Sequence, residues 1–312
     1  MQALFEVILP VFLVMGAGYL ATRLGLFEDR AVDALMRFAQ NFAVPCVLFK
    51  GVAQLDLSSA YDPGLMISFY AGAFTSFTIG ALGARFLFGR PGPDAVAIGF
   101  ACLFSNSLLL GLPITERAYG AAALSGNYAI ISIHAPMLYA FGITMMELTR
   151  AHGIGLPVLQ IARQIFRGIV TNPLVIGITL GFAVNLSGNP LPEPAWAGID
   201  MLARAGLPAA LFGLGGVMVR YRPEGDLRLV AMIATCSLLL HPGIGWLLGA
   251  RVFGLDTAAL RSVVVTASMA PGINAYLFAN MYGVAKRVAA TAVLLSTALS
   301  ILTVWFWLHV LP

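Results

Sequence analysis

Charged side chains are scarce: 18 Lys and Arg with 14 Asp and Glu make up 10% of the 312 residues, against about a quarter in soluble globular domains. With 59% hydrophobic residues, that scarcity excludes an ordinary water-soluble domain. Cysteine is almost missing. Cys46, Cys102 and Cys236 lie far apart in apolar stretches with no CxxC or Cys/His spacing, which excludes a disulfide framework and a zinc site. No GxxxxGK[ST], HExxH or GxSxG pattern occurs, and no polar segment is long enough to fold into an ATP-hydrolysing domain. An ATP-driven pump and the common hydrolases are therefore excluded, and no cofactor or metal is implied. Nucleic-acid signatures and low-complexity runs are missing as well. The polar/apolar alternation of a membrane β-barrel is not sustained anywhere.

What is present is a succession of nearly uncharged stretches of about 20 residues, the length at which an α-helix crosses about 30 Å of hydrocarbon. The pattern predicts an all-α polytopic membrane protein with ten transmembrane helices, at 3–23, 31–54, 64–88, 94–119, 122–148, 168–187, 194–219, 228–250, 257–282 and 287–310. Met1 to Phe12 lacks the basic region of a cleaved signal, so the first span is expected to be retained. Most Lys and Arg residues fall in loops after odd-numbered spans; those after even-numbered spans hold only Lys50, Arg117, Arg251 and Arg261. By the positive-inside rule both termini lie outside, periplasmic in a bacterial inner membrane. The net charge of +4 reports this orientation rather than an anionic partner.

Sliding the chain by 163 residues sets Pro10, Gly18, Tyr19, Gly25 and Pro45 on Pro173, Gly181, Phe182, Gly188 and Pro208. The same shift superposes PCVLF at Pro45 to Phe49 on PAALF at Pro208 to Phe212, and Tyr119-Gly120 on Tyr282-Gly283. One register over so long a range indicates an internal repeat. The first five-helix repeat is 1–149, a cytoplasmic linker is 150–166, and the second repeat is 167–312. Five is odd, so the second copy enters the membrane from the opposite side. Inverted repeats of this kind are typical of secondary transporters.

Candidate chemistry gathers where prolines interrupt the fourth and ninth spans. Gly111-Leu112-Pro113 predicts a break in the fourth, and Pro271-Gly272 one in the ninth. Irregular backbone at membrane depth is tolerated where it lines a cavity, and half-helix ends present N–H groups suited to a carboxylate. Ser105, Asn106 and Ser107 cluster at one break, Ser268 and Asn274 at the other. Prolines also kink membrane helices without any ligand, with Ser and Asn satisfying the freed carbonyls. Asn41 precedes Pro45 in the second span. Arg204 either neutralises a substrate anion or pairs with Asp200 one turn away. Glu116 either helps couple an ion or pairs with adjacent Arg117. His134 is either a proton carrier or a polar group bonded to a neighbour.

The motifs Asn106-Ser-Leu-Leu-Leu-Gly111-Leu-Pro113 followed by Tyr119-Gly120, Thr171-Asn172-Pro173, Ala205 to Gly215, and Ala270-Pro-Gly-Ile-Asn through Ala279 resemble the auxin efflux carrier family over the whole chain. The resemblance implies a scaffold of about 1–56 plus 167–222, dimeric in many members, beside a transport domain of about 62–149 plus 226–312. The broken fourth and ninth helices of that domain would cross, and a small organic anion would bind there. By position Asn106 carries over as the substrate-contacting asparagine, with Pro113 and Pro271 as crossover prolines. Two departures stand out: a second proline of plant members is replaced near Ala275, and their long cytoplasmic loop is reduced to Ala151 to Phe166. The expectation is an elevator-type carrier of carboxylates, uncoupled or coupled to Na+ or H+, with the lipid bilayer and a second copy of the chain as partners. The competing readings are a sodium-coupled bile-acid-type symporter and a membrane sensor that binds without transporting.

Overall fold

The computed structural model describes residues 3–150, 169–188 and 191–312, together with Leu159, Arg163, Phe166 and Arg167. Most of the expected linker at 150–166 lies outside the described residues. The helices are α1 (Leu4–Arg23), α2 (Asp29–Ala53), α3 (Pro63–Phe86), α4 (Gly92–Leu103), α5 (107–119) and α6 (Ala121–Arg150). After them come α7 (Pro173–Ser187), α8 (Glu193–Met218), α9 (Leu227–Val252), α10 (Thr257–Ala267), α11 (Ile273–Tyr282) and α12 (Lys286–Val310). Among the described residues there is no β-strand. Seven of these helices, namely α1, α2, α3, α6, α8, α9 and α12, are long and apolar enough to cross a membrane; α4, α7 and α10 are apolar but shorter. Their outward faces carry bare Leu13, Leu20, Leu82, Phe86, Leu180, Met201 and Leu302, a surface that hydrocarbon solvates and water does not.

Prolines shape these helices without cutting them. A five-residue π turn ends two residues before Pro10, Pro45, Pro113 and Pro242, at Leu4–Ile8, Ala39–Ala43, Ser107–Gly111 and Cys236–Leu240. In each, the residue before the proline donates to the carbonyl five positions back, as Leu112 N does to Ser107 O. A proline ring collides with the carbonyl four residues back, and widening the turn moves that carbonyl aside. The break expected at Gly111-Leu112-Pro113 is accordingly not there. Helix α5 runs unbroken through Pro113, and the interruption lies at Phe104 to Asn106. Pro271-Gly272 does interrupt the chain between α10 and α11, as expected.

Helix α1 packs on α8, and α7 on α2, with α2 also against α8. These contacts are backbone to backbone. A β-carbon on Gly18 would stand 1.9 Å from the Phe212 carbonyl oxygen, and one on Gly215 1.9 Å from that of Met15. On the other pair, a β-carbon on Gly181 would lie 2.8 Å from the Phe49 carbonyl oxygen. Helix α3 packs instead on α4 and α9, α9 on α12, and α6 and α11 on α4. Their core is aromatic and aliphatic, with Phe69, Phe100 and Phe278 fully buried.

Candidate functional site

The chain unwinds twice at the same place. After α4 ends at Leu103, Phe104 to Asn106 are non-helical; after α10 ends at Ala267, so are Met269 to Gly272. The two segments cross antiparallel and exchange main-chain hydrogen bonds, Asn106 N to Ala270 O at 2.8 Å and Gly272 N to Phe104 O at 3.1 Å. Each unwound segment thereby satisfies donors and acceptors of the other that a dry interior would otherwise leave unpaired.

Asn106 starts α5. Its side-chain oxygen accepts from Leu109 N at 3.3 Å, the capping role that asparagine fills well. Among the described residues its amide nitrogen has no acceptor, although the residue is only 9% exposed. Ser105 and Ser107 share a 2.8 Å hydroxyl–hydroxyl bond, and the Ser268 hydroxyl donates to Val265 O at 2.9 Å. Across the crossing, α11 opens at Gly272, which offers no side-chain cap. The first N–H groups of a helix lack intrahelical partners. Two helix N-termini, each with a partial positive charge, thus meet at the crossing with one unengaged amide donor.

Neighbouring elements hold this arrangement in place. Asn127 Nδ2 on α6 donates to Thr115 Oγ1 on α5 at 3.0 Å and to Thr266 Oγ1 on α10 at 2.7 Å. The Tyr139 hydroxyl donates to Asn274 Oδ1 at 3.2 Å. Phe100 stacks on Phe278 at 4.0 Å between ring centres, and Tyr139 and His134 pack edge-on to Phe104 at 5.7 Å and 4.8 Å. His134 is buried, and among the described residues the polar group nearest its ring nitrogens is the Ser105 carbonyl, short of full hydrogen-bond geometry.

A second feature lies farther along α5. A cavity of about 780 Å³ opens between α1, α2, α5, α6 and α8, lined among others by Leu112, Pro113, Glu116, Leu207 and Pro208. Leu112 is six residues past Asn106, or about 9 Å along the helix axis. Lys50, Arg117 and Arg204 face Asp56, Glu116 and Asp200 around it. Asp200 accepts from Lys50 Nζ and, at 2.7 Å, from Arg204 Nε. Hydrogen bonds from the Ser58 hydroxyl, then the Ser59 hydroxyl and the Ser58 N–H, hold the Asp56 carboxyl below its ordinary range.

The structure thus brings Ser105, Asn106, Ser107, Ser268, Pro271 and Asn274 to the crossing, and Pro113, Glu116 and Arg204 to the cavity. Arg204 takes the paired alternative. Glu116 does not pair with Arg117, whose Nε and Nη2 donate to Glu6 O at 3.1 and 2.6 Å. Asn41 joins neither group: it lies on the exposed side of α2. Lys50, Tyr139 and Asn127 were not foreseen. Lys50 reads as a loop cation until its partner, 150 positions away, is seen.

Apolar helices enclosing a buried polar crossing define a polytopic helical protein of the membrane. The family model described as "Membrane transport protein" matches residues 3–155 and 156–308, and the chain belongs to that family. A protein named "Putative malonate transporter" from Rhizobium meliloti (strain 1021) is 25% identical over 305 residues, covering 97% of this chain and 94% of its own. Auxin efflux carrier component 8 of Arabidopsis thaliana is 22% identical over 348 residues, 94% of this chain and 93% of its own. The lysosomal cholesterol signaling protein of Mus musculus is 26% identical over 252 residues, 77% of this chain but 29% of that longer one. The chain is a membrane transporter by family, not an enzyme, and the resemblance to auxin efflux carriers holds.

Proposed function

We propose that this protein is a secondary carrier of small organic anions, which it binds at the crossing of α4–α5 with α10–α11 and moves by an elevator-type displacement. The observation that carries the reading is the meeting of two helix N-termini with the unengaged Asn106 amide, a set of neutral donors suited to a carboxylate. The names of the Rhizobium and Arabidopsis relatives favour malonate-like and auxin-like acids as the cargo class.

Taken as single broken spans, α4–α5 and α10–α11 bring the count to ten. The inverted repeat is supported by contacts that recur at the 163-residue shift. Gly18 meets the Phe212 carbonyl while Gly181 meets that of Phe49, so each copy's glycine rests on the other copy's phenylalanine. Gly25 and Gly188 have φ of 74° and 64°, and Gly120 and Gly283 of 83° and 75°. The group α1, α2, α7 and α8 would be the scaffold and the dimerising part, and the group containing the crossing the moving part. The arginine distribution favours a bacterial inner membrane with both termini outside.

Counterflow of radiolabelled organic acids in proteoliposomes tests this, comparing wild type with Asn106→Ala and with and without sodium. Saturable exchange weakened about 10- to 100-fold in the variant is expected, from a lost hydrogen bond to a charged group. Flux that requires sodium would favour a bile-acid-type symporter. The mouse relative's signalling name favours a second reading, ligand binding without flux, and binding in the absence of counterflow would decide for it.

A further inference from the structure

The crossing holds no fixed charge to meet an anion. Its donors are amide and main-chain N–H groups, whereas Lys50 and Arg204 stand in the cavity and are engaged by Asp200. One group beside the crossing can become a cation. His134 on α6 is 4% exposed, its ring 4.8 Å from that of Phe104, whose carbonyl accepts from Gly272 N. The Ser105 carbonyl is its main-chain neighbour across the gap.

The surroundings of His134 are otherwise uncharged. Helix α3 offers Phe69 at 5.6 Å and Tyr70 at 6.3 Å between ring centres, the Tyr70 hydroxyl donating to Ile130 O at 3.0 Å. On its own helix, Ser132 donates to Ala129 O and meets the Tyr61 hydroxyl. Helix α9 contributes His241, its ring 4.8 Å from that of Phe69 and its Nε2 3.1 Å from the Phe69 carbonyl. That bond assigns the His241 proton to Nε2. Among the described residues His241 acts on His134 electrostatically and no Asp, Glu, Lys or Arg does.

A buried imidazole whose ring nitrogens have no polar neighbour nearer than the Ser105 carbonyl costs stability that a phenylalanine in the same box would not. Its charged form becomes favourable once an opposite charge lies beside it. Anion and proton would then strengthen each other's binding by the same factor, as linkage requires.

We propose that His134 carries a proton across the membrane together with the anion at the crossing. This rests on the carrier reading above. Water admitted with the substrate gives a proton to a ring nitrogen, forming one N–H bond. On the opposite side that bond breaks and the proton returns to water as the anion leaves, with no heavy-atom bond changed.

The test uses the full chain in proteoliposomes with radiolabelled malonate. Counterflow, which needs no net proton movement, is compared with accumulation driven by a pH gradient, inside alkaline by one unit. Wild type should accumulate malonate about tenfold more with the gradient than without, the factor one unit supplies per coupled proton. His134→Gln should keep counterflow at a reduced rate and lose the response to the gradient. A response retained in His134→Gln overturns the proposal, since malonate would then bring its own proton. Should the variant fail to fold, wild type decides alone: vesicles loaded with a pH-sensitive dye must acidify as malonate enters, and influx without acidification overturns the assignment. Wild type without counterflow of any acid would instead remove the carrier reading beneath it.

Discussion

Asn106 has two ends with different duties, and Asn106→Asp separates them. The side-chain oxygen caps α5 through Leu109 N at 3.3 Å, while the amide nitrogen is the donor proposed to meet the anion. Aspartate keeps the cap and adds charge at a helix N-terminus, where a carboxylate is worth about 0.3–1 kcal/mol. It removes the donor and puts a negative charge where the anion should sit. The retained cap offsets part of the cost of burying a carboxylate at a residue 9% exposed, while binding falls by at least the 1.5–3 kcal/mol of a bond to a charged partner, roughly 10- to 150-fold. Asn106→Ala loses the cap as well and should be less stable by about 1 kcal/mol. Thermal unfolding in detergent and malonate counterflow, measured on the same preparations, read the two effects apart. Asn106→Asp with wild-type exchange would refute the placement of the anion at this amide. An Asn106→Ala variant as stable as wild type would refute the capping account.

Two further outcomes follow from contacts described above. Gly18→Ala and Gly215→Ala each force a methyl group to within 1.9 Å of a backbone oxygen, so α1 and α8 must part, at a cost of at least about 1–3 kcal/mol. Gly181→Ala, at 2.8 Å, should cost less, and Gly16→Ala, with nothing within 4 Å, should be neutral or stabilising. A Tm order that ranks Gly16→Ala with Gly18→Ala would contradict the packing. Asp200→Asn frees Lys50 and Arg204 on the cavity wall. Because such partly exposed pairs are worth about 0–1 kcal/mol, stability should change little. Anion uptake should instead rise a few-fold at low ionic strength and return to wild type in high salt. Uptake equal to wild type in low salt would take the cavity off the anion's path.

Much of this was legible in the sequence, and the exceptions have physical causes. Apolar run lengths placed the helices to within a few residues, and the Pro and Gly register located both interrupted spans. The sequence points to Pro113 for the first interruption because a proline in a standard helix must clash. The π turns that relieve the clash depend on i→i+5 bonding, which no residue pattern announces. Ser105-Asn106-Ser107 held the better signal, since an Asn ahead of an apolar run is a helix start. Asn41 lies away from the site, on the exposed side of its helix; residue type says nothing about which face of a helix meets lipid. Lys50 with Asp200, and Tyr139 with Asn274, escaped for a different reason: each pair spans more than a hundred residues, and with a single sequence nothing ties the partners together.

The bonds that fasten the crossing, Asn106 N to Ala270 O and Gly272 N to Phe104 O, run from main chain to main chain. Of the residues that donate them, only replacement by proline deletes a donor. These two bonds do not depend on side-chain identity: the hydroxyls at 105 and 107, which bond each other, can be rewritten without removing either. A scaffold of that sort can change cargo by small substitutions at fixed backbone, which makes those two positions the place to begin re-engineering selectivity.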